Sequence, residues 1–468
     1  MEQPKIYNNE AELINWLKYD LEEQRKEIAK NKNISLNDVK DEELVLHIGS
    51  KNNDYNATDL SNQPYPIYNI YFNFYTIFLR LDNNEIIDNY TIYKVCKYRI
   101  NARHCIFNSD FKTFNVIFKQ EVNFFNSQFS KKDNTYNRFS YCNFEDILIF
   151  YNCSFYSNFV FYNCLFYRKA IFEKSKFYSN IGFDDGNIKD KIDFNNSFIK
   201  KNLVINCNMV NNVIFDNIVF DNEKIILSIG NDSLLKINEL SFKNIFINGI
   251  INIQNVEVET VDFKGSVINS GLVNPVKFKV NNFANRESAL FLKNEAYARR
   301  NVIDALKYKD KEIEMHRKEL LNKPNKNSKD WFDIISISLS SLYSNNGQNW
   351  GKSLLMTIFI TFVFFNIFYL PDLSKSNIEP YFYKDYFSCL IKYFIPTDYE
   401  QIKYYADASV RVNIFIKIFG VIIYFVGKIM FWYGSVQTVQ AFRKFSKGAW
   451  NHLLSTILIS SSLKSYNP

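Results

Sequence analysis

Phenylalanine recurs every eleven residues through the middle of this chain, and this spacing constrains the fold more than any other feature. The main series runs over six positions without an exception: Phe139, Phe150, Phe161, Phe172, Phe183 and Phe194. A second series stands five residues after the first four members: Phe144, Phe155, Phe166 and Phe177. Small or apolar residues come two positions before these phenylalanines, and mostly Asn, Ser, Tyr, Lys and Asp lie between them. The pattern predicts a structural repeat that carries its own core.

An eleven-residue repeat has two structural interpretations. In helices it produces a right-handed supercoil. Here, however, Asn, Ser, Tyr and Phe dominate, and inward positions at i−2 and i match the side-chain alternation of a β-strand. The sequence therefore predicts a β-solenoid over residues 101–284, with about eight coils that each stack on their neighbours.

The cysteines of the repeat need a separate interpretation. The chain has seven cysteines and no Cys-x-x-Cys pair. Cys142, Cys153 and Cys164 occupy the small inward position of the repeat at the same eleven-residue spacing. A buried thiol behaves as a small apolar residue there, so we interpret them as core fillers rather than metal or redox ligands. We expect no metal site and no cofactor.

Further segments flank the predicted solenoid. Residues 1–100 combine an amphipathic helix with aromatic and β-branched runs, which indicates a small mixed α/β N-terminal domain. Residues 285–330 alternate charged with apolar residues, which predicts a charged connecting helix that runs unbroken over Arg286–Asn322. A membrane module at residues 331–447 and a tail at residues 448–468 complete the chain.

Two apolar runs predict membrane-spanning helices at residues 353–370 and 412–441. The first has eighteen residues and no charge, and at about 1.5 Å per residue it can cross a bilayer. The second carries only Lys417 and Lys428 as charges. Lysines and arginines before the first run and after the second place both ends of the module in the cytoplasm. We therefore expect a multi-pass protein of the cell inner membrane with cytoplasmic termini.

An amphipathic helix is predicted at residues 331–343, directly before the first span. Its apolar face begins at Trp331, and such a helix often lies flat in the headgroup region. Because it connects the cytoplasmic part to the first span, we expect Trp331 and its helix to take part in gating.

The segment at residues 380–400 has the features of a re-entrant pore loop. Pro380–Phe394 predicts a short helix, and the proline at position 396 stops it and forces extended backbone. Such a half-helix is tolerated at membrane depth only against protein or a water-filled pore. No glycine occurs between Gly351 and Gly420, so a carbonyl filter of the potassium-channel kind is not expected. Pore lining and selectivity then fall to the loop itself: Ile395, Pro396, Thr397 and Asp398.

Lys428 is the charge that the second span must accommodate. A lysine in mid-span usually faces a cavity or a partner. It lies eleven residues after Lys417, so both project from nearly one helix face. We expect Lys428 to face the pore; the alternatives are snorkelling for Lys417 and an ion pair inside the bundle for Lys428. Gly427 and Gly434 are candidate hinges at which the helix bends during gating.

The Phe-centred repeat of residues 101–222 resembles the pentapeptide-repeat proteins. That resemblance implies a right-handed quadrilateral β-solenoid. The C-terminal half also resembles a bacterial family that joins such a solenoid to a two-helix channel module with a pore loop. The motifs that carry the second resemblance are Asn285-Arg286-Glu287, Leu292-Lys293-Asn294-Glu295-Ala296, Tyr343-Ser344-Asn345-Asn346-Gly347, Ile395-Pro396-Thr397 and Gln440-Ala441-Phe442-Arg443-Lys444.

The second resemblance implies a homotetrameric channel whose pore loop lies between an outer and an inner helix. Similar channels act as effectors of bacterial anti-phage defence and are gated by nucleotides or oligonucleotides. The implied partners are the lipid bilayer, further copies of the chain, a permeating ion, a nucleotide or single-stranded nucleic acid, and an enzyme that makes this ligand. A net charge of +7 and abundant Tyr and Phe suit an anionic ligand that stacks.

Two functions are therefore open from the sequence. One is a ligand-gated ion channel subunit, and the other is a membrane-anchored solenoid scaffold that binds a protein partner. Replacing Asp398 or Lys428 would alter conductance in the first and change little in the second. The four histidines are scattered, and the chain has no His-Glu-x-x-His, phosphate-binding glycine loop or Gly-x-Ser-x-Gly motif. We therefore expect no enzymatic activity.

Overall fold

The computed structural model describes residues 5–49, 66–81, 84–88, 91–130, 136–222, 224–230, 232–373, 381–395, 399, 402 and 414–464. The chain divides into two compact units, Met1–Phe291 and Leu292–Pro468. The first unit is a parallel β-solenoid of about eight turns with a small N-terminal α/β region. The second unit is helical. The predicted fold class is therefore confirmed.

Each coil of the solenoid has four sides, which we number one to four in chain order. One coil passes from Phe107 on side one through Thr113 and Phe118 to Val122 on side four, and returns to side one at Phe129. Each inward residue pairs in parallel with its counterpart in the next coil. Because two sides together take eleven residues, the sequence repeat corresponds to half a coil.

The strands of each side stack into a ladder. Side one contains Ile6–Tyr7, Ile67–Tyr68, Ile106–Phe107, Gln128–Phe129, Ser154–Phe155, Lys176–Phe177, Phe198–Ile199, Val219–Phe220, Phe246–Ile247 and Val267–Ile268. Side two contains Lys112–Phe114, Tyr136–Ser140, Asn158–Tyr162, Ile181–Asp184, Leu203–Asn206, Ile226–Ile229, Ile250–Gln254 and Leu272–Val276. Side three contains Glu85–Asp88, Thr91–Cys96, Val116–Phe118, Asn143–Phe144 and Leu165–Phe166, and side four contains Val45–His47, Arg99–Asn101, Val122–Asn123, Leu148–Ile149 and Ala170–Ile171. From there on, single strands serve both sides three and four: Asn187–Asp193, Met209–Ile214, Leu235–Ser241, Val256–Asp262 and Lys279–Phe283.

The asparagine-rich composition of the repeat has a backbone explanation. One corner in most half-coils adopts the left-handed conformation, as at Asn126, Asn152, Asn163 and Asn196, whose φ angles are 56°, 56°, 49° and 57°. Asparagine tolerates this conformation better than most residues because its short polar side chain can bond locally. These corners stand two residues after an inward position, which fixes their place in the repeat.

The core consists of stacked phenylalanine rings. Phe139, Phe161 and Phe183 form a column on side two, with ring centroids 5.5 and 4.8 Å apart. Phe150 and its counterparts form a second column, in which Phe150–Phe172 and Phe172–Phe194 are 5.1 and 5.2 Å apart. All six rings are at most 1% exposed. Cys142, Cys153 and Cys164 are buried as free thiols in the same core.

A helix covers each end of this aromatic core. Near the N-terminal end, Phe74 of the helix Phe74–Leu81 contacts Phe118 with a centroid distance of 5.5 Å. At the other end, Phe291 of the helix Arg286–Ala298 stacks on Phe263 at 4.6 Å. Ser288 of that helix also accepts a hydrogen bond of 2.7 Å from the Phe263 amide. The ring column thus ends on a helical side chain instead of on solvent.

The N-terminal region is continuous with the solenoid. The helix Glu10–Lys32, which we call α1, is capped by Asn9 and is followed by short 3₁₀ turns at Leu36–Asp38 and Asp41–Glu43. The strand before α1, Ile6–Tyr7, extends the ladder of side one, and the strand Val45–His47, after the 3₁₀ turns, extends the ladder of side four. The helix Phe74–Leu81 is α2, and Arg286–Ala298 is α3.

The second unit contains α4 (Val302–Asn322), α5 (Ser328–Ser344), α6 (Trp350–Leu373), α7 (Tyr381–Tyr393) and α8 (Ile414–Lys464), and α3 crosses the boundary between the units. The prediction of one unbroken helix over Arg286–Asn322 was wrong. The chain turns at Arg300, where φ is 59°, and Asn301 caps α4 by accepting a hydrogen bond from the Asp304 amide. The Asn-x-x-Asp pattern at Asn301 is a start signal for a helix that the charge pattern concealed.

Two of these helices are long and apolar enough to cross a membrane. The apolar segments are Trp350–Phe368 of α6 and Ile418–Phe442 of α8. Both include most of a predicted span, although α8 continues far beyond position 441 to Lys464. No proline interrupts the sequence of α8, so nothing in the backbone chemistry ends the helix at the last apolar residue.

Candidate functional site at the end of the short helix

The two apolar helices pack against each other in antiparallel directions. At one end, the rings of Trp350 and Phe442 lie 6.1 Å apart. At the other end, Phe368 and Tyr424 lie 5.1 Å apart. The helices therefore form a hairpin, and the segment that connects them leaves from the end at Phe368 and Tyr424, which we call the loop end.

The short helix α7 packs into this hairpin near its loop end. Tyr386 contacts Phe365 at 5.4 Å and its hydroxyl donates a 2.9 Å hydrogen bond to Asn366. Tyr393, the last residue of α7, is fully buried and contacts both Phe365 and Tyr424. These rings form a small core of Phe365, Phe368, Tyr393 and Tyr424 that holds α7 between the two long helices.

Lys428 binds the carbonyl end of α7. Its ammonium nitrogen donates hydrogen bonds of 2.7 Å to the backbone carbonyl oxygens of both Tyr393 and Ile395. The same nitrogen lies 4.8 Å from the ring centre of Tyr393 and 5.3 Å from that of Tyr424. The residue is only 3% exposed within one chain. A cation at the C-terminal end of a helix complements the partial negative charge of the last carbonyls.

Among the described residues, backbone carbonyls and two aromatic rings hold the ammonium group of Lys428. Whether the side chain also faces a pore or forms an ion pair stays a prediction. The side chain of Lys417 lies outside the described side chains, so the expectation for that residue stays a prediction.

The end of α7 reaches well inside the hairpin. Lys428 is four residues beyond Tyr424, and Phe394 contacts Phe431, seven residues beyond Tyr424, at 5.9 Å. At about 1.5 Å per residue, these positions lie roughly 6 to 10 Å beyond the level of Tyr424, away from the loop end. The C-terminal end of α7 is therefore level with apolar parts of both long helices.

Gly427 and Gly434 lie at positions of α8 that leave no room for a side chain. A Cβ at Gly427 would lie 2.0 Å from the Tyr393 hydroxyl and 2.8 Å from the Phe364 Cβ. A Cβ at Gly434 would lie 2.2 Å from the Thr357 hydroxyl. Both glycines thus have a packing role, as small residues often have between membrane helices. Whether they also act as hinges stays a prediction.

Hydroxyl and amide groups connect the helices near the other end of the hairpin. Ser353 accepts a 2.9 Å hydrogen bond from the Thr438 hydroxyl. Ser344 of α5 donates to the Gln437 side chain at 3.0 Å, and the buried Tyr343 donates to the Met430 carbonyl at 3.2 Å. Gln437 is a polar residue inside an apolar run, a signal from which this contact could have been anticipated.

The remaining predicted site residues are placed only in part. Ile395 is described, and it contributes the carbonyl that Lys428 binds. Pro396, Thr397 and Asp398 lie outside the described residues. Trp331 is exposed on α5 near Lys326, whose ammonium is 5.8 Å from the indole ring. The structure therefore brings Ile395, Gly427 and Lys428 together and leaves Trp331 on a separate helix.

Among the described residues, no group of three or more His, Cys, Asp or Glu side chains could hold a metal ion. Burial raises the pKa of the Cys153 thiol well above its usual range, which keeps it protonated and unreactive.

The chain was also compared with known proteins. No protein-family model matches it. Searches of curated proteins and of solved structures likewise found no match.

Proposed function

We propose that this chain is a subunit of an ion channel of the bacterial inner membrane. In this proposal α6 and α8 cross the bilayer, α7 is the re-entrant helix beside the pore, and the solenoid is a cytoplasmic sensor of an anionic ligand. The subunits assemble as a homotetramer.

One observation carries the proposal: the carbonyl end of α7 is held by Lys428 inside a hairpin of two apolar helices. Chain that leaves a helix at membrane depth exposes backbone groups that lipid cannot satisfy. It is tolerated there only against protein or a water-filled cavity. A simple anchor has no need for a third helix between its two spans, whereas a pore needs polar backbone at this depth.

The outer surfaces of the two long helices support the membrane location and the assembly. Exposed apolar side chains cover both helices, among them Leu355 and Phe359 on α6 and Phe415 and Ile429 on α8. Soluble proteins rarely expose so large an apolar surface, which fits contact with lipid and with further copies of the chain. Symmetric copies would bring four α7 helices around one axis.

The cellular role follows from the resemblance of the motifs rather than from the site. We propose that ligand binding opens the pore and that opening serves antiviral defence. A partner enzyme would then make the ligand when infection begins.

Planar-bilayer recording of the purified full-length protein, with substitution of the bathing ions, tests the proposal. We expect discrete conductance steps whose reversal potential depends on the ions present. Asp398→Ala should alter the selectivity, and Asp385→Ala, which removes a carboxylate elsewhere in the same segment, serves as its control. A protein that incorporates into the bilayer and gives no conductance with any ligand tested would support the membrane-anchored scaffold instead.

A further inference from the structure

The helix α5 crosses α8 instead of running beside it. Hydrogen bonds join Ser336 to Tyr433 at 3.5 Å, Ser340 and Ser344 to Gln437 at 3.5 and 3.0 Å, and Tyr343 to Met430 at 3.2 Å. The three serines extend over roughly 12 Å of α5, yet their partners on α8 are only one turn apart. The contacts do not advance along α8 as they advance along α5, which is the pattern of two crossing helices.

The same contacts place α5 just inside the end of the hairpin that is opposite the loop end. Lys352 is the only charged residue of the apolar segment Trp350–Phe368 and lies at its start. The next residue, Ser353, accepts the hydrogen bond from Thr438, so these two positions are level. The partners of the three serines are one to five residues, or roughly 2 to 8 Å, farther into the hairpin. Helices that lie in the headgroup region of a bilayer bury their apolar faces to a comparable depth of about 5 to 10 Å.

Away from α8, an apolar stripe of α5 is exposed. It consists of Trp331, Phe332, Ile335 and Leu342, and Phe332 is 71% exposed. At about 100° per residue, the four side chains project within about 100° of one another around the helix. A helix of a soluble protein normally buries such a stripe against its core. The stripe therefore needs a partner outside the single chain.

Two lysines lie at the N-terminal end of the apolar stripe. The ammonium nitrogen of Lys326 is 5.8 Å from the ring centre of Trp331. Lys329 is three positions before Phe332, so these two residues are neighbours on the helix surface. Positive charge and exposed apolar area therefore meet at the start of α5.

The start of α5 is fixed in a way that leaves both lysines for an outside partner. Asn327 and Asp330 form a capping box, and Lys323 binds the Asp330 carboxylate at 2.7 Å. Within the described part of the chain, no ion pair involves Lys326 or Lys329.

We propose that this surface binds an anionic phospholipid, whose acyl chains lie along the apolar stripe and whose headgroup phosphate is bound by Lys326 and Lys329. The inference rests on the proposed membrane location of α6 and α8, but not on conduction. Tryptophan suits the headgroup region because its ring is apolar and its N–H is polar. A second copy of the chain would have to offer carboxylates to the two lysines, whereas one anionic lipid supplies negative charge and apolar chains together.

Native mass spectrometry of the full-length protein tests this inference. The protein is released from bicelles that contain equal amounts of phosphatidylglycerol and phosphatidylcholine, and the retained lipids are counted. We expect phosphatidylglycerol in excess. Lys326→Gln and Lys329→Gln should each lower this excess by about fivefold, the contribution of one lysine near an anionic membrane surface. Glycerol phosphate at millimolar concentration, the headgroup without its chains, should not displace the lipid.

Phe332→Ser separates the two parts of the surface. It should lower the retention of both lipids and leave their ratio unchanged, because acyl chains are common to both. A matched control for the lysine variants is Lys200→Gln with Lys201→Gln, which removes two exposed ammonium groups from the solenoid. This control should change neither the retention nor the ratio.

Four results would overturn the proposal: equal retention of the two lipids by the wild type, an excess that both lysine variants leave unchanged, displacement of the lipid by glycerol phosphate, or loss of oligomers in Phe332→Ser without any loss of lipid. The last result would assign the apolar stripe to a second copy of the chain. Bilayer recording of the same preparation separates the two proposals. Conductance without a preference for phosphatidylglycerol removes the lipid surface alone, and a preference that depends on the two lysines without any conductance removes the channel alone.

Discussion

The ammonium nitrogen of Lys428 lies 2.7 Å from the carbonyl oxygen of Ile395, the residue directly before Pro396. A helix leaves its last carbonyls without partners inside the helix, and a proline that follows has no N–H to donate. Lys428 supplies the donor from α8. The charge within the apolar part of α8 and the stop signal of the short helix are therefore two parts of one contact.

Lys428→Met should detach the end of α7 from α8. Methionine has a similar length but no donor, so the carbonyls of Tyr393 and Ile395 lose a charged partner at a cost of about 1 to 3 kcal/mol. We expect a lower thermal unfolding midpoint in detergent and an altered conductance. Lys392→Met, at an exposed position beside Tyr393, is the control. Equal midpoints for the wild type and Lys428→Met would contradict this role of Lys428.

Gly427→Ala and Gly434→Ala should weaken the packing of the two long helices. The methyl group at position 427 would lie 2.8 Å from the Phe364 Cβ of α6 and 2.0 Å from the Tyr393 hydroxyl of α7, and the methyl group at position 434 would lie 2.2 Å from the Thr357 hydroxyl of α6. The packed helices would have to shift to make room. Overpacking of this kind costs about 1 to 3 kcal/mol. At Gly351 the nearest atom to a new Cβ is 3.6 Å away, so Gly351→Ala should leave the midpoint unchanged or slightly raise it. The measurement is the thermal unfolding midpoint of each variant in detergent. Midpoints equal to that of the wild type for all three alanine variants would contradict close packing at Gly427 and Gly434.

Phe172→Ala should destabilise the middle of the solenoid. Its ring stacks between Phe150 and Phe194, and its removal leaves a cavity that costs about 3 to 5 kcal/mol. Each coil contacts only its neighbours, so the loss should appear as faster hydrogen exchange in the coils around residue 172. The exposed Tyr167→Ala in the same coil should change exchange very little. Hydrogen-exchange rates around residue 172 that are the same in Phe172→Ala as in Tyr167→Ala would argue against a core built of ring stacks.

The stability of the first coils should depend on His104. Burial, together with the nearby Arg103, lowers the pKa of His104 below its usual value of 6.5. Its Nδ1 lies 3.1 Å from the Asn126 amide nitrogen, a contact that suits a neutral ring accepting a hydrogen bond. As the pH falls from 6.5 toward the lowered pKa, the unfolded chain binds a proton that the folded chain does not. Stability should therefore fall over that window.

The measurement compares unfolding midpoints at about pH 7.5 and about pH 5.5 for the wild type and His104→Asn. Asparagine suits the backbone there, because φ at His104 is 56° and equivalent corners of later coils carry asparagine. We expect His104→Asn to fold and to lose part of the pH dependence. An identical pH response in both proteins would exclude His104 as its source.

The sequence by itself was sufficient for the repeating part of the fold. Eleven-residue spacing, inward positions at i−2 and i, and asparagine at left-handed corners are all local or periodic properties. Burial of the phenylalanines follows from them, because each coil has the same inside and outside. The two apolar helices could be predicted for a similar reason, since hydropathy along one helix needs no partner.

Tertiary structure decided the parts that depend on distant residues. Lys428 and Tyr393 are thirty-five positions apart, and no pattern within either segment shows that one caps the other. The sequence likewise does not show whether a Cβ added at a glycine would lie 2.0 Å from another atom, as at Gly427, or in open space, as at Gly347. The turn at Arg300 was missed because an Asn-x-x-Asp cap competes with a charge pattern typical of a continuous helix. Periodic patterns report which face of an element is buried, and only the packed chain shows what it is buried against.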